Sequence, residues 1–391
     1  MPTESLATAA REVEALQESF AAADTSGRQD LLAPIHDPGR LDDFREGDTR
    51  LTLPDARLIV ANRNGYALWR KYELYLSLDS RVRDLIAAVR VGDIETARDI
   101  LAAAPQVANP VIEPGLGCNL RTEAGHIAND SIPLFCLSEG VFNDTNQRGN
   151  EGEIAELLLS NGADPDLAWQ PMEGAVSFNC PSIAAALIRH GANVEGPSPG
   201  VLLAYPMLFG YTTICEQLAA AGARLDLRFA AGLGRMAAME ACLNDDGSLK
   251  EDPGLADPYA NQSPSPIRVP RSDAVVLGQA LLYACLHGRL GAAKWLIEHN
   301  ANPSALVLGT DHDCTILQRM TCHFGGSQAK IKALETSRMP MVRWLLDRGA
   351  DPAIQDAEIP ADALGWARHH GMHEMAKLFE HAGEDKLNPG A

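Results

Sequence analysis

Aromatic residues are scarce in this chain of 391 residues, at 5% of the composition against 46% for all hydrophobic residues. That balance favours thin layers packed through Ala and Leu over one thick globular core. No stretch reaches the roughly 18 consecutive apolar residues of a transmembrane helix, so none is predicted. The sequence opens MPTESLATAAREVEALQ, where no basic region precedes an apolar run, and a cytoplasmic protein is expected.

Basic residues are also few, with 33 Lys and Arg against 52 Asp and Glu and a formal net charge of -19. Binding nucleic acid or an anionic membrane through bulk electrostatics requires a basic surface, so the composition argues against both partners. A protein partner stays open, and a basic one suits the charge. The acidic surface also keeps a protein in solution, whatever it binds.

Motifs that carry chemistry are missing too. The sequence has no phosphate-binding glycine loop, no HExxH, no GxSxG and no CxxC among its eight cysteines. We therefore predict no cofactor, no metal and reduced structural thiols. One cluster has the spacing of a zinc site or a thiolate pair, but its cysteines fall at positions typical of a helix start and a buried helix face, which favours a structural role. It comprises Asp311, His312, Cys314, Cys322 and His323.

A short sequence that recurs along the chain is the clearest feature that is present. WLLDRGADP occupies positions 344 to 352, and close copies begin at Leu157, Ala186, Gln217 and Trp295. Each copy has the apolar end of a helix and then Gly or Asn, the residues that tolerate the left-handed conformation at a helix C-terminus. The pattern predicts repeated helices with a common stop.

A second glycine lies twelve residues before these stops, as Gly210, Gly288 and Gly371 show. Four residues before it stands a small residue, for example Ala284 or Ala367. Two helices and a turn on a period of about 33 residues are the layout of ankyrin repeats. The chain resembles the ankyrin repeat family over residues 81–384.

That resemblance implies an all-α fold, a solenoid of about eight helix-turn-helix repeats. Residues 1–80 are expected to form a helical cap and 385–391 a short tail. Within the cap, Ala61 to Trp69 is similar to the helical preface of many bacterial ankyrin proteins. A cap covers the open end that every repeat stack presents.

Three insertions depart from the family pattern, near residues 109–150, 247–271 and 325–338. The first contains the start of a repeat at Ile132 to Ser138, and the second holds five prolines, which excludes helix. We expect the excess chain to form long loops. Loops on repeat proteins commonly carry binding specificity.

Register in the family predicts which side chains face the concave groove. They are the two residues just before each turn glycine, together with Trp169 at the start of the third repeat. The set comprises Arg90, Trp169, Phe178, Phe209, His287, His323, Phe324, His369 and His370.

Two functions are compatible with these features. The first is a non-catalytic scaffold that holds another protein in its groove and loops. The second is a cofactor-free enzyme, isomerase-like or hydrolase-like, or a small-molecule sensor, whose groove is roofed by the insertions. In the enzyme, His287 or His323 would act as general base, with an Asp or Tyr259 of the second insertion as its partner.

Overall fold

A computed structural model describes residues 6–33, 47–64, 66, 68–110, 132–196, 200–250, 272–308, 310, 313–323, 328–356 and 359–387. The chain forms two compact units, residues 1–192 and 193–391. Both units are mainly helical. Among the described residues, no helix is long and apolar enough to cross a membrane.

Four helices open the first unit: α1 (Leu6–Ala22), α2 (Thr25–Leu32), α3 (Leu53–Arg63) and α4 (Trp69–Ser77). The buried face of α1 carries Ala9, Val13, Leu16 and Phe20, and their steps of three or four residues return to one side of a helix. That face packs against α3, and both share a core with Tyr72 of α4. These helices therefore share a small core of their own within this unit, while their role as a cap on the repeats stays a prediction.

Three helix pairs complete the first unit. They are α5 (Ser80–Arg90) with α6 (Ile94–Ala103), α7 (Pro133–Phe142) with α8 (Glu151–Ser160), and α9 (Gln170–Ser177) with α10 (Pro181–Arg189). The first helices pack in series, α5 on α7 and α7 on α9, and the second helices do the same. The start predicted at Ile132 is confirmed, because α7 begins at the next residue.

The second unit contains five pairs. They are α11 (Val201–Phe209) with α12 (Thr212–Ala220), α13 (Leu227–Leu233) with α14 (Met236–Glu240), α15 (Asp273–Leu286) with α16 (Leu290–Glu298), α17 (Ile316–Thr321) with α18 (Gln328–Asp347), and α19 (Ala363–His369) with α20 (His373–Leu387). Their first helices again pack in series from α11 to α19. A repeating helix pair is thus the building block of both units, while one continuous solenoid stays a prediction.

The turn inside seven of the eight pairs uses a left-handed residue, and in the pair of α17 and α18 residues 324–327 lie outside the described residues. Gly92, Gly210 and Gly288 have φ angles of 72°, 75° and 67°, and Asp144 and Asn179 take the same position at 55°. The amide of the next residue donates to the carbonyl of the small residue that precedes the turn by four. This hydrogen bond is 2.8 to 2.9 Å long in the pairs Asp93 to Ala88, Thr145 to Gly140, Cys180 to Ala175, Arg289 to Ala284 and Met372 to Ala367.

Small residues before the turn let the first helices approach closely. A methyl group built on Gly140 would lie 2.5 Å from the carbonyl oxygen of Arg90 on the neighbouring helix. Gly232, two residues before the turn at Gly234, is enclosed as tightly, because a methyl group there would lie 2.5 Å from Met207 Sδ and 3.2 Å from Tyr283 Cβ. The sequence pattern of Ala or Gly at this register is therefore a packing requirement between neighbouring pairs.

The long loop expected at 325–338 is wrong for most of its length, while the insertion itself stays a prediction. The helix α18 begins at Gln328, and its buried residues Ile331, Glu335, Arg338, Val342 and Leu345 recur at helical spacing. Burial of this stripe overrides the two glycines before it and Pro340 inside it. Of the other insertions, residues 111–131 and 251–271 lie outside the described residues.

Two boundaries and one strand pair also differ from expectation. The helix α20 continues through Gly383 to Leu387, because no turn-forming Asp-Pro follows that glycine as it follows Gly349. Pro206 lies inside α11 and does not delay its start at Val201. A short antiparallel pair, β1 (Leu306–Val307) and β2 (Cys314–Thr315), precedes α17, so Cys314 lies in a strand and not at a helix start.

Candidate functional site

The C-terminal ends of α5, α7 and α9 form the candidate site of the first unit. Arg90 ends α5, Phe142 ends α7, and Phe178 follows the last residue of α9. Arg90 and Phe142 lie two residues before the left-handed residue of their pair, and Phe178 lies one residue before it. Since the three helices pack in series, their ends come together on one edge of the unit.

A buried ion pair connects two of these ends. The Nη2 atom of Arg90 lies 2.6 Å from Oε2 of Glu139, and the side chains are 20% and 2% exposed. The Cys136 sulfur is 3.4 Å from the same nitrogen. Burial acts to lower the pKa of Arg90, but Cys136 and Glu139 hold it above its usual range. The guanidinium predicted to meet a partner is thus occupied within the fold.

Aromatic rings lie next to this ion pair along the same edge. Phe178 is buried between Phe135 at 5.8 Å and Phe142 at 4.7 Å, measured between ring centroids. Phe142 is 48% exposed. A large apolar ring that packs on a buried ring and is itself exposed to solvent is typical of a contact surface.

Trp169 stands at the other end of α9 in a strained backbone conformation. Its φ angle is 69°, and the side chain is 39% exposed. A left-handed conformation costs a non-glycine residue on the order of 1 to 2 kcal/mol. The turn five to seven residues earlier is held by Asn109, which accepts from the amide of Asp164 at 2.6 Å and donates to the carbonyl of Gly162 at 2.5 Å.

Strain at an exposed aromatic residue points to selection for its position and not for stability. Because Trp169 and Phe178 flank the eight residues of α9, they are about 14 Å apart along its axis. Phe142, Trp169 and Phe178 are called the aromatic face below.

The predicted groove residues of the second unit do not form one set. Phe209 packs against Tyr211 with 5.6 Å between ring centroids. His287 is only 8% exposed, and both of its ring nitrogens are bonded, Nδ1 to Thr212 Oγ1 at 2.8 Å and Nε2 to the Met207 carbonyl at 3.0 Å. Burial lowers the pKa of His287 to about 4. A ring with no free nitrogen does not serve as a general base.

Three of the predicted histidines do come together. His370 lies 5.1 Å from His323 and 5.1 Å from His369, measured between ring centroids, and Trp366 stacks on it at 5.4 Å. His323 Nε2 is 3.0 Å from the carbonyl oxygen of His370. The edge formed by α17 and α19 therefore presents a histidine cluster.

The remaining predicted residues cannot be placed, since Phe324 and Tyr259 lie outside the described residues. Asp311 and His312 of the possible zinc cluster lie outside them as well. Among the described residues, no group of three or more His, Cys, Asp or Glu side chains has the geometry to hold a metal ion. With His287 bonded on both sides, no described observation favours the enzyme hypothesis.

The structure adds residues that the sequence interpretation did not single out. Phe142 lies two residues before Asp144. The sequence register would have identified it if Asp had been counted, with Gly and Asn, as a left-handed turn residue. Glu139 lies 49 residues from Arg90 in sequence, so no local pattern connects them. Arg338 sits in a segment that was read as an insertion.

No protein-family profile matches the chain, and no curated protein matches it. Among solved structures, the chain is similar to the human ASB11 ankyrin repeat domain, with 18% sequence identity over 75% of this chain and 96% of that chain and a TM-score of 0.31. A TM-score this low does not establish a common fold. The fold assignment therefore depends on the helix pairs and their turns.

Proposed function

We propose that the chain is a non-catalytic binding protein of the ankyrin type, which holds a protein partner on the first unit. The aromatic face supplies the apolar centre of the contact. The observation that carries this proposal is the exposed ring of Phe142, supported by buried Phe178. Aromatic side chains of this kind are enriched among the residues that dominate binding energy.

Charge around the face favours a basic partner. Asp144 and Asp164 are exposed close in sequence to Phe142 and Trp169. The formal net charge of -19 adds a long-range attraction for cations. An apolar centre with an acidic rim suits a partner segment that combines aliphatic or aromatic residues with Lys or Arg.

A quantitative pull-down from lysate of the source cell tests the proposal. The immobilised full chain is compared with Phe142→Ser and with Ile359→Ser, a matched control in the second unit where the side chain is 45% exposed. We expect a partner that Phe142→Ser recovers at about a tenth of the wild-type amount or less, which is the size of an interface hot spot, and that Ile359→Ser recovers fully. Equal recovery by both variants would remove the aromatic face from the proposal.

A further inference from the structure

Arg338 has a buried guanidinium in the second unit, and its side chain and backbone together are 8% exposed. The Nη1 atom donates to the carbonyl oxygens of Met320 at 2.9 Å and Cys322 at 2.7 Å, where α17 ends. These carbonyls satisfy hydrogen bonds but carry no formal charge. The positive charge of Arg338 therefore needs another source of compensation.

Two other arginines of this chain show how such a charge is normally compensated. Arg228 is 1% exposed and is paired with Asp226, and Arg90 is paired with Glu139 at 2.6 Å. Both carboxylates come from the chain itself. A buried charge that lacks its partner costs several kcal/mol, which explains why the pairs exist.

Arg338 forms no ion pair with any carboxylate in the part of the chain that the structure describes. Glu335 is one turn earlier on α18 and is buried, but its Oε1 atom accepts the amide hydrogen of Met375 at 2.9 Å. The Nε atom of Arg338 is buried and makes no hydrogen bond with the described residues. The guanidinium thus keeps both charge and donors available.

The histidine cluster lies directly beside this arginine. Cys322, whose carbonyl accepts from Arg338, is followed by His323, and His323 is bonded to the His370 carbonyl. The Nε2 atom of His370 is buried and forms no hydrogen bond with the described residues. His369 is exposed, so the cluster reaches solvent on one side.

Charged neighbours of His370 have one sign. Burial, and after it the neighbours His323, His369, Arg319 and Arg338 in that order, together lower the pKa of His370 to about 4. Every one of these groups is a cation or becomes one on protonation. In a chain with a net charge of -19, this is a local reversal of sign.

We propose that Arg338, His323 and His370 form a binding site for an oxyanion, the phosphate or carboxylate group of a ligand. The guanidinium would supply the charge and the fork of donors that such groups accept, and His370 Nε2 would supply a further donor. An anion there compensates the buried charge of Arg338 as Asp226 compensates that of Arg228. The site lies in the second unit and does not depend on the aromatic face.

Titration of the full chain with sodium phosphate and with sodium acetate tests the site, with sodium chloride at equal ionic strength as the reference. Histidine ring signals in NMR spectra and the midpoint of thermal unfolding are followed. We expect a saturable shift of the His370 signal and a higher unfolding midpoint with phosphate or acetate but not with chloride. The anion that saturates at lower concentration identifies the preferred group.

Two variants and one control test whether Arg338 and His370 bind the anion. Arg338→Met is expected to weaken anion binding at least about tenfold, the usual loss for a charge-assisted bidentate contact, while Arg343→Met on the exposed side of the same helix binds as the wild type does. His370 is half-buried, so His370→Gln tests the site even if Arg338→Met fails to fold. We expect His370→Gln to weaken anion binding about threefold or more. Equal responses to all three anions, or unchanged binding in His370→Gln, would overturn the proposal.

Discussion

Glu139 of α7 compensates Arg90 of α5 through a contact of 2.6 Å that is almost closed to water. The pair lies at the edge that carries Phe142 and Phe178, and Gly140 beside it lets the two helices meet at van der Waals distance. A single change in this pair therefore tests whether the edge is as tightly built as the structure shows.

Glu139→Gln leaves the Arg90 guanidinium buried without its counter-ion. We expect the free energy of unfolding to fall by about 3 kcal/mol, because breaking a buried pair exposes the full cost of the remaining charge. Urea denaturation measures it. Glu153→Gln removes an exposed carboxylate from α8 and should change the free energy by less than about 0.5 kcal/mol. A similar small effect for both variants would show that the pair is open to water.

Gly288→Ala tests the left-handed turn of the pair α15 and α16. Nothing lies within 4 Å of the added methyl group, so the expected loss of about 1 kcal/mol comes from the φ angle of 67° alone. Gly291→Ala, three residues later inside α16 and also without neighbours within 4 Å, should instead stabilise by about 0.5 to 1 kcal/mol. Thermal unfolding of both variants measures the difference. Effects of the same sign would contradict the turn geometry.

The lowered pKa of His287 predicts that the second unit loses stability in acid. Its pKa falls from 6.5 to about 4 on folding because burial disfavours the charged ring. The folded state therefore binds fewer protons, so the stabilisation is complete above pH 6.5 and is lost as the pH falls toward 4. The loss is on the order of 3 kcal/mol.

His370 contributes in the same pH range, since its pKa is also lowered to about 4. Urea denaturation between pH 7 and pH 4 in the His370→Gln background isolates the share of His287. NMR should show the His287 ring still neutral at pH 5. Titration of that ring near pH 6.5 would mean that it is open to solvent.

Trp169→Asn separates stability from binding. Asn adopts the left-handed conformation readily, so we expect the free energy of unfolding to stay within about 0.5 kcal/mol of the wild type or to rise by about 1 kcal/mol. Recovery of the partner should fall about tenfold. Trp169→Phe keeps a ring and should keep most of the binding. A variant Trp169→Asn that binds normally would show that the strain at this residue serves another purpose.

The repeating helix pair could be predicted from the sequence because its signals are local. A left-handed glycine, a small residue four positions earlier and an apolar helix end all lie within one turn region, as around Gly288. The same rule missed the turn at Asp144, where the left-handed residue is not glycine. It also misread α18, because Gly325, Gly326 and Pro340 favour a loop while the buried stripe from Ile331 to Leu345 is only evident once its packing partners are known.

The candidate sites were less predictable because their chemistry is not local. Histidines at the register of His287 and His370 look alike in sequence, yet one is bonded through both ring nitrogens and the other has a buried nitrogen available. That distinction depends on Met207 and Thr212, which are 80 and 75 residues away. Sequence register selects positions, and three-dimensional neighbours decide what those positions can do.

Hydrogen–deuterium exchange of the full chain, alone and with its recovered partner, tests the central claim most directly. Binding on the aromatic face predicts added protection in residues 136–145 and 164–179, which contain Phe142, Trp169 and Phe178. The outer helices α8 and α10 should exchange as before. Protection confined to α8, α10 or the second unit, with 136–145 and 164–179 unchanged, would contradict the account.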